Sequence, residues 1–216
     1  MSTVVEFDYA WDVLMAEFAH RFDKAPVFQG PATARLLRAH LDTRPPAWAA
    51  QAHDVDLRSV LDGMGSDPLV GALFALNPVL PWVTRGVFTD AGHTNRAYVE
   101  FMGPEGMIRT DRVRLGVYWH APHTFYPSHR HNATELYHVL SGTGFWQHKT
   151  ETWMPRGPDS YIMHEYRDNH ATKTEAEPTL AFWSWLGDIS FDSYSMDEAP
   201  DDLAQGFVDF PGNLSR

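Results

Sequence analysis

Eight of the chain's twelve histidines fall between His120 and His170, where an even spread would put about three. Within that stretch runs Tyr126-Pro127-Ser128-His129-Arg130-His131-Asn132-Ala133-Thr134-Glu135-Leu136-Tyr137. His129 and His131 are two apart, so on an extended strand both imidazoles leave from one face. Glu135 returns to that side after a short irregular stretch. Two imidazole nitrogens and one carboxylate oxygen from a single segment suit one divalent transition metal: Zn2+, Fe2+, Mn2+ or Ni2+. Residues 134–140 then alternate as a strand, with Glu135, Tyr137 and Val139 on one face and His138 on the other. A metal-binding Glu135 therefore carries Tyr137 into the same cavity. Taken alone, a His-x-His is an ordinary surface feature and Glu135 an ordinary strand carboxylate; the surrounding spacing decides between the readings.

That spacing, His129, His131, Glu135 and Gly142, meets the pattern His-x-His-x(3,4)-Glu-x(6)-Gly. In this the chain resembles the cupin superfamily. The second cupin motif is similar to Pro155-x-Gly157 followed by a histidine, either His170, which opens a strand-like run, or the fallback metal ligand His164. A narrower resemblance rests on Tyr126-Pro127-x-His129-x-His131-x-Ala133-x-Glu135-x-Tyr137 and on His170-Ala171-x-x-Thr174 ahead of Leu180-Ala181-Phe182-Trp183-Ser184-Trp185. Over residues 97–188 this looks like the cupin-type dimethylsulfoniopropionate lyases of marine bacteria. The resemblance implies metal ligands at His129, His131, Glu135 and His170. It implies Tyr137 as general base and Tyr126 as a residue that binds or orients the substrate. Residues 163–169 depart from the family, replacing a proline-rich approach to the last ligand.

The implied reaction is a β-elimination that splits the substrate into dimethyl sulfide and acrylate. Its leaving group departs neutral, so no general acid is required. A base must take the proton α to the carboxylate, and a metal can absorb charge as a Lewis acid. A tyrosine is a base only when ionised; bringing its pKa from about 10 to about 8 takes roughly 2.7 kcal/mol of differential stabilisation. Activity is then expected to rise above neutral pH. The dimethylsulfonium end suits aromatic faces, worth about 0.5–2 kcal/mol each. Trp119, Trp183 and Trp185 are candidates, only one of them expected in the pocket, with Trp183 and Trp185 sharing a strand face and Phe182 on the other. His123 is a candidate at the pocket mouth. Rival readings are another metal-cupin enzyme, such as an iron dioxygenase or a sugar-phosphate isomerase served by Arg112, Arg114 or Arg130, and a non-catalytic cupin that binds a small molecule. Ser128 and Ser141 lie in no nucleophile elbow.

These residues need a scaffold, and the sequence changes character near residue 85. Before it, Phe7, Trp11, Leu14, Phe18 and Phe22 recur on one helix face. A second helix opens at Gly30-Pro31, runs through Leu41 and stops before Pro45-Pro46; a third is expected over 47–61 and a short fourth after Ser66. After residue 85 the period approaches two, with strands expected at 97–102, 112–119, 135–141, 143–149, 160–163, 171–173 and 179–185. The fold class expected is mainly β with a helical N-terminal part: a single cupin, a small β-barrel or jelly roll, preceded by several α-helices. The organisation expected is a helical region at 1–85, a cupin barrel at 86–190 and an acidic, solvated segment at 191–216 with a short helix near 201–206.

Among 216 residues, 17 are Lys or Arg and 28 are Asp or Glu, a formal charge of −11, and none is Cys. That balance argues against nucleic acid, and the lack of Cys removes disulfides, thiolate nucleophiles and Cys-type metal sites. No apolar run approaches the ~20 residues that span a bilayer, and the first eight residues carry no signal-peptide pattern. The expectation is a cytoplasmic protein with a small zwitterionic or carboxylate substrate and no membrane partner. Homodimer formation, through sheet edges or the helical half, stays open.

Overall fold

The computed structural model describes residues 4–53, 55–84 and 95–196. The spaced aromatics form α1 (Val4–Asp23), whose Trp11, Phe18 and Phe22 are fully buried. α2 (Gln29–Arg38) begins as expected but stops at Arg38, before Leu41. α3 is one turn (Arg58–Leu61), and α4 (Pro68–Leu76) starts on an Asp67 cap with Pro68 in its first turn. The long third helix expected over 47–61 is therefore not formed. Tertiary contacts override the local preference: Trp48 packs on Phe7 and Trp11 and donates its indole N–H to Asp8 at 2.9 Å. The same segment's Gln51 N–H reaches the Pro78 carbonyl at 2.8 Å.

Eleven strands follow among the described residues. β1 (Arg96–Gly103), β2 (Ile108–Arg109), β3 (Arg114–His120), β5 (Thr134–Ser141), β8 (Tyr161–His164) and β10 (Thr179–Leu186) make one sheet in the order β2-β1-β3-β10-β5-β8. β4 (Phe125–Arg130), β6 (Gly144–His148), β7 (Met154–Arg156), β9 (His170–Thr174) and β11 (Ser195–Met196) make the second, in the order β11-β4-β9-β6-β7. The two sheets form a cupin-like jelly roll, an open sandwich rather than a closed barrel. Of the expected strands, each has a counterpart; β2, β4, β7 and β11 are additional. The expected helix near 201–206 lies outside the described residues.

The first sheet has two faces, and its alternation assigns them. Leu115, Val117, Leu136, Leu140, Leu180 and Phe182 join the helices in one core, where Phe182 stacks on Phe18 with centroids 4.1 Å apart. Tyr118, Tyr137, Val139, Ala181, Trp183 and Trp185 turn towards the second sheet and form another. The helices thus cover one face of the sheet and leave the other to line a cavity. Gly142, with φ +74°, closes the turn after β5; a Cβ there would sit 1.8 Å from the Pro178 carbonyl oxygen.

Candidate active site

His129 and His170 are direct partners across β4 and β9, so adjacent strands bring their rings to 4.1 Å. Glu135 approaches from the facing sheet. Among the described residues, His129, Glu135 and His170 form the one group whose ligand atoms all lie within 4.8 Å of one another. His131 sits just past the end of β4 rather than on the strand, and adjoins the group through Glu135, its Nε2 3.2 Å from Oε2. His170 Nε2 is 3.0 Å from the same oxygen. All these residues are at most 3% exposed.

The backbone sets the direction of each ring. Nδ1 of His129 donates to the Pro127 carbonyl at 2.8 Å, that of His131 to Ala133 at 3.0 Å, and that of His170 to Asp168 at 2.8 Å. A carbonyl only accepts, so each Nδ1 carries the hydrogen and the neutral ring offers a lone pair at Nε2. Two of those lone pairs face the Glu135 carboxylate at 3.0–3.2 Å. Lone pairs converge this way around a positive charge, and three imidazoles with one carboxylate fit a divalent transition metal. Burial holds the His129 imidazole well below its usual pKa and therefore neutral.

The pocket beside this group is lined by Tyr98, Tyr118, Tyr126, His129, Glu135, Tyr137, Trp183 and Trp185. Tyr137 shares the inward face of β5 with Glu135 and lines the same pocket. Burial and then the Glu135 charge push the Tyr137 phenol well above 10 in the bare protein. Tyr126 stacks on His129 with centroids 4.0 Å apart, and the Arg96 guanidinium lies 3.7 Å from its ring centre.

Both Trp183 and Trp185 line the pocket, against the expectation of one. Trp185 does a different task from its neighbour: it pairs with Glu135 across β10 and β5, donates its indole N–H to Oε1 at 2.7 Å, and lays its ring 3.9 Å from that of His131. Trp119 is not in the pocket. Alternation on β3 turns it towards the helix-side core and turns Tyr118 inward. His123 is also absent from the lining; it occupies the left-handed turn after β3, with φ 55° and its N–H on the Glu175 carbonyl. His164 does not join the ligand group. It stacks on His170 at 3.9 Å and 7°, bracing the ring from behind. His138 is buried on the opposite face of β5, stacked on Tyr161.

Sequence reasoning missed Tyr98, Tyr118, Arg96 and Tyr194. The first two are direct partners on β1 and β3, and alternation within the expected strands already aimed them inward. Arg96 begins β1, and nothing in its neighbours marks it. Tyr194 lies in the segment taken as solvated, yet its hydroxyl is 2.7 Å from that of Tyr126.

A family model for dimethylsulfoniopropionate lyase matches residues 25–181. Over 194 residues the chain is 28% identical to the dimethylsulfoniopropionate lyase DddQ of Ruegeria pomeroyi, covering 86% of this chain and 94% of the relative. The fold resembles that in a crystallographic study of the lyases RdDddP and RnDddQII, with a TM-score of 0.59 and 24% identity over 88% of this chain and 99% of that one. It also resembles the crystal structure of DddQ from Ruegeria pomeroyi, with a TM-score of 0.59 and 22% identity over 88% and 96% of the two chains. At these identities the structural likeness speaks for the fold.

Proposed function

The chain belongs to the dimethylsulfoniopropionate lyase family, whose members are carbon–sulfur lyases, and from that premise we propose that its pocket cleaves dimethylsulfoniopropionate to dimethyl sulfide and acrylate. Tyr137 takes the proton α to the carboxylate, the electron pair of that C–H bond becomes the new double bond, and the C–S bond breaks with its pair leaving on sulfur. The observation that carries this reading is the common strand face of Tyr137 and Glu135, which puts a phenol and a carboxylate in one pocket beside His129, His170 and, through Glu135, His131. A divalent cation held by His129, His131, Glu135 and His170 would polarise the substrate carboxylate and supply the positive charge that lets the phenol ionise. Without such charge, burial and Glu135 keep the Tyr137 proton in place.

Tyr126 offers its hydroxyl to the substrate carboxylate, with its ring fixed by His129. Trp183 and Tyr98, with centroids 6.2 Å apart at 80°, offer a face and an edge to the dimethylsulfonium group. Among the described residues the lining contains no Lys or Arg, so a sugar phosphate finds no cation there, whereas a zwitterion needs none. Trp185 serves the site by holding Glu135 and His131. Cytoplasmic residence fits the absence, among the described residues, of any helix long and apolar enough to cross a membrane.

The test is headspace gas chromatography of dimethyl sulfide over protein and dimethylsulfoniopropionate at pH 8. Chelated protein is compared with protein reloaded separately with Zn2+, Fe2+, Mn2+ and Ni2+. Release by at least one loaded form and loss on chelation are expected; silence from every folded, loaded form overturns the reading.

A further inference from the structure

The segment after β10 is tied to the site at several points. The Asn132 backbone N–H, one residue past His131, donates to Ser193 Oγ at 3.0 Å, and its side-chain amide donates to Asp188 at 2.8 Å. Arg114, buried and paired with Glu100 at 2.6 Å, donates Nε–H to the Ile189 carbonyl at 2.7 Å and lies 3.6 Å over the Phe191 ring. Phe191 in turn meets Trp185 edge-on at 5.6 Å. β11 then pairs with β4, Met196 opposite His129. This strap sets Tyr194 behind two residues of the pocket, its ring 5.6 Å from that of His129 and its hydroxyl 2.7 Å from that of Tyr126.

Tyr126 is otherwise immobilised. Two groups within 4.0 Å of one ring centre, Arg96 at 3.7 Å and a near-parallel His129 at 4.0 Å, must occupy opposite faces, because both cannot fit on one. The ring has no room to turn, so the remaining freedom is the direction of the hydroxyl hydrogen. In a pair of hydroxyls at 2.7 Å, one donates and the other accepts.

We propose that Tyr194 is a positioning residue for the lyase reaction: it donates to Tyr126, which leaves the Tyr126 hydrogen to point at the substrate carboxylate. A carboxylate only accepts, so the order Tyr194, Tyr126, carboxylate is the one in which both hydrogens are used, and each bond in such a chain polarises the next. The inference rests on the role proposed above for Tyr126.

Steady-state kinetics of dimethyl sulfide release are measured for Tyr194→Phe, Tyr126→Phe and the double variant, with metal content and melting temperature followed in each. Acrylate binding by calorimetry gives a second readout if turnover is too slow. Tyr194→Phe is expected to raise KM, and weaken acrylate, by up to about tenfold, the scale of one hydrogen bond, with kcat and metal content little changed. In the Tyr126→Phe background it should add nothing, because the hydroxyl it directs is gone. An equal loss in both backgrounds, with a lowered melting temperature, would mean that Tyr194 only fastens the strap, and overturns the inference. A raised KM in Tyr126→Phe beside an ordinary one in Tyr194→Phe defeats the inference alone. An ordinary KM in Tyr126→Phe defeats the role of Tyr126 and this inference with it.

Discussion

Glu135 has two oxygens with different partners, and the site follows from that division. Oε2 faces His131 and His170, while Oε1 accepts the Trp185 indole N–H. An indole donates and never accepts, so Trp185 fixes the carboxylate in one orientation without competing for a cation. Replacing Trp185 by Phe keeps a ring against His131 and removes the hydrogen bond. Metal affinity, read by chelator competition, is expected to fall about 10- to 100-fold, the usual scale for a partner of a metal ligand. Unchanged affinity would return Trp185 to a substrate-contact role. The candidate ligands were legible because their separations are local: Glu135 and Tyr137 are two residues apart on one strand, and His129 and Glu135 belong to one segment. The Trp185 bond was not, because it depends on the register of β10 against β5.

At the scale of elements, β5 serves two cores at once. Its inward face carries Glu135 and Tyr137; its outward face carries His138 beneath the helices. Burial, reinforced by Arg21, pushes His138 from 6.5 down to about 4, with Asp159 and Asp67 pulling the other way. The unfolded chain binds this proton below about 6.5 and the folded chain only near 4, so the stabilisation is complete above 6.5 and is lost as pH falls through that window. Denaturant unfolding between pH 7 and pH 4 is expected to show a smaller loss of stability in His138→Gln than in the unaltered protein. The difference should be up to about 1.4 kcal/mol per pH unit; parallel curves would refute it. Strand reading missed β2 and β11, each two residues long, and two strands that hold a proline. Pro127 lies at the register shift of β4 between Tyr126 and His129, and Pro155 lies on β7, the edge of its sheet, where a missing N–H is tolerated. Helix reading failed at 47–57, where Trp48 is worth more against α1 than in a helix of its own.

Across the whole molecule, helices back one sheet, that sheet faces another, and the pocket lies between the two sheets. This order explains why a chain of net charge −11 keeps a largely aromatic cavity: among the described residues Glu135 is the carboxylate in the lining, and the other buried one, Glu100, is paired with Arg114 away from it. It also explains why the tail misled a reading by composition. The sequence from 191 to 216 is acidic enough to look solvated, yet Tyr194 near its start reaches Tyr126 and His129 because β11 pairs with β4. The fold class was legible from periodicity, which is a property of neighbouring residues. The pocket's far wall was not, since it is assembled from strands distant in sequence.

The central claim is that Tyr137 removes the proton α to the carboxylate. Its most direct test is dimethyl sulfide release by Tyr137→Phe against the unaltered protein, at matched metal content and with folding verified by melting temperature. The phenyl ring keeps the packing and removes the base, so turnover should fall by at least about a hundredfold, the low end for loss of a general base. A variant that binds metal normally and still releases dimethyl sulfide at near the original rate would contradict the account.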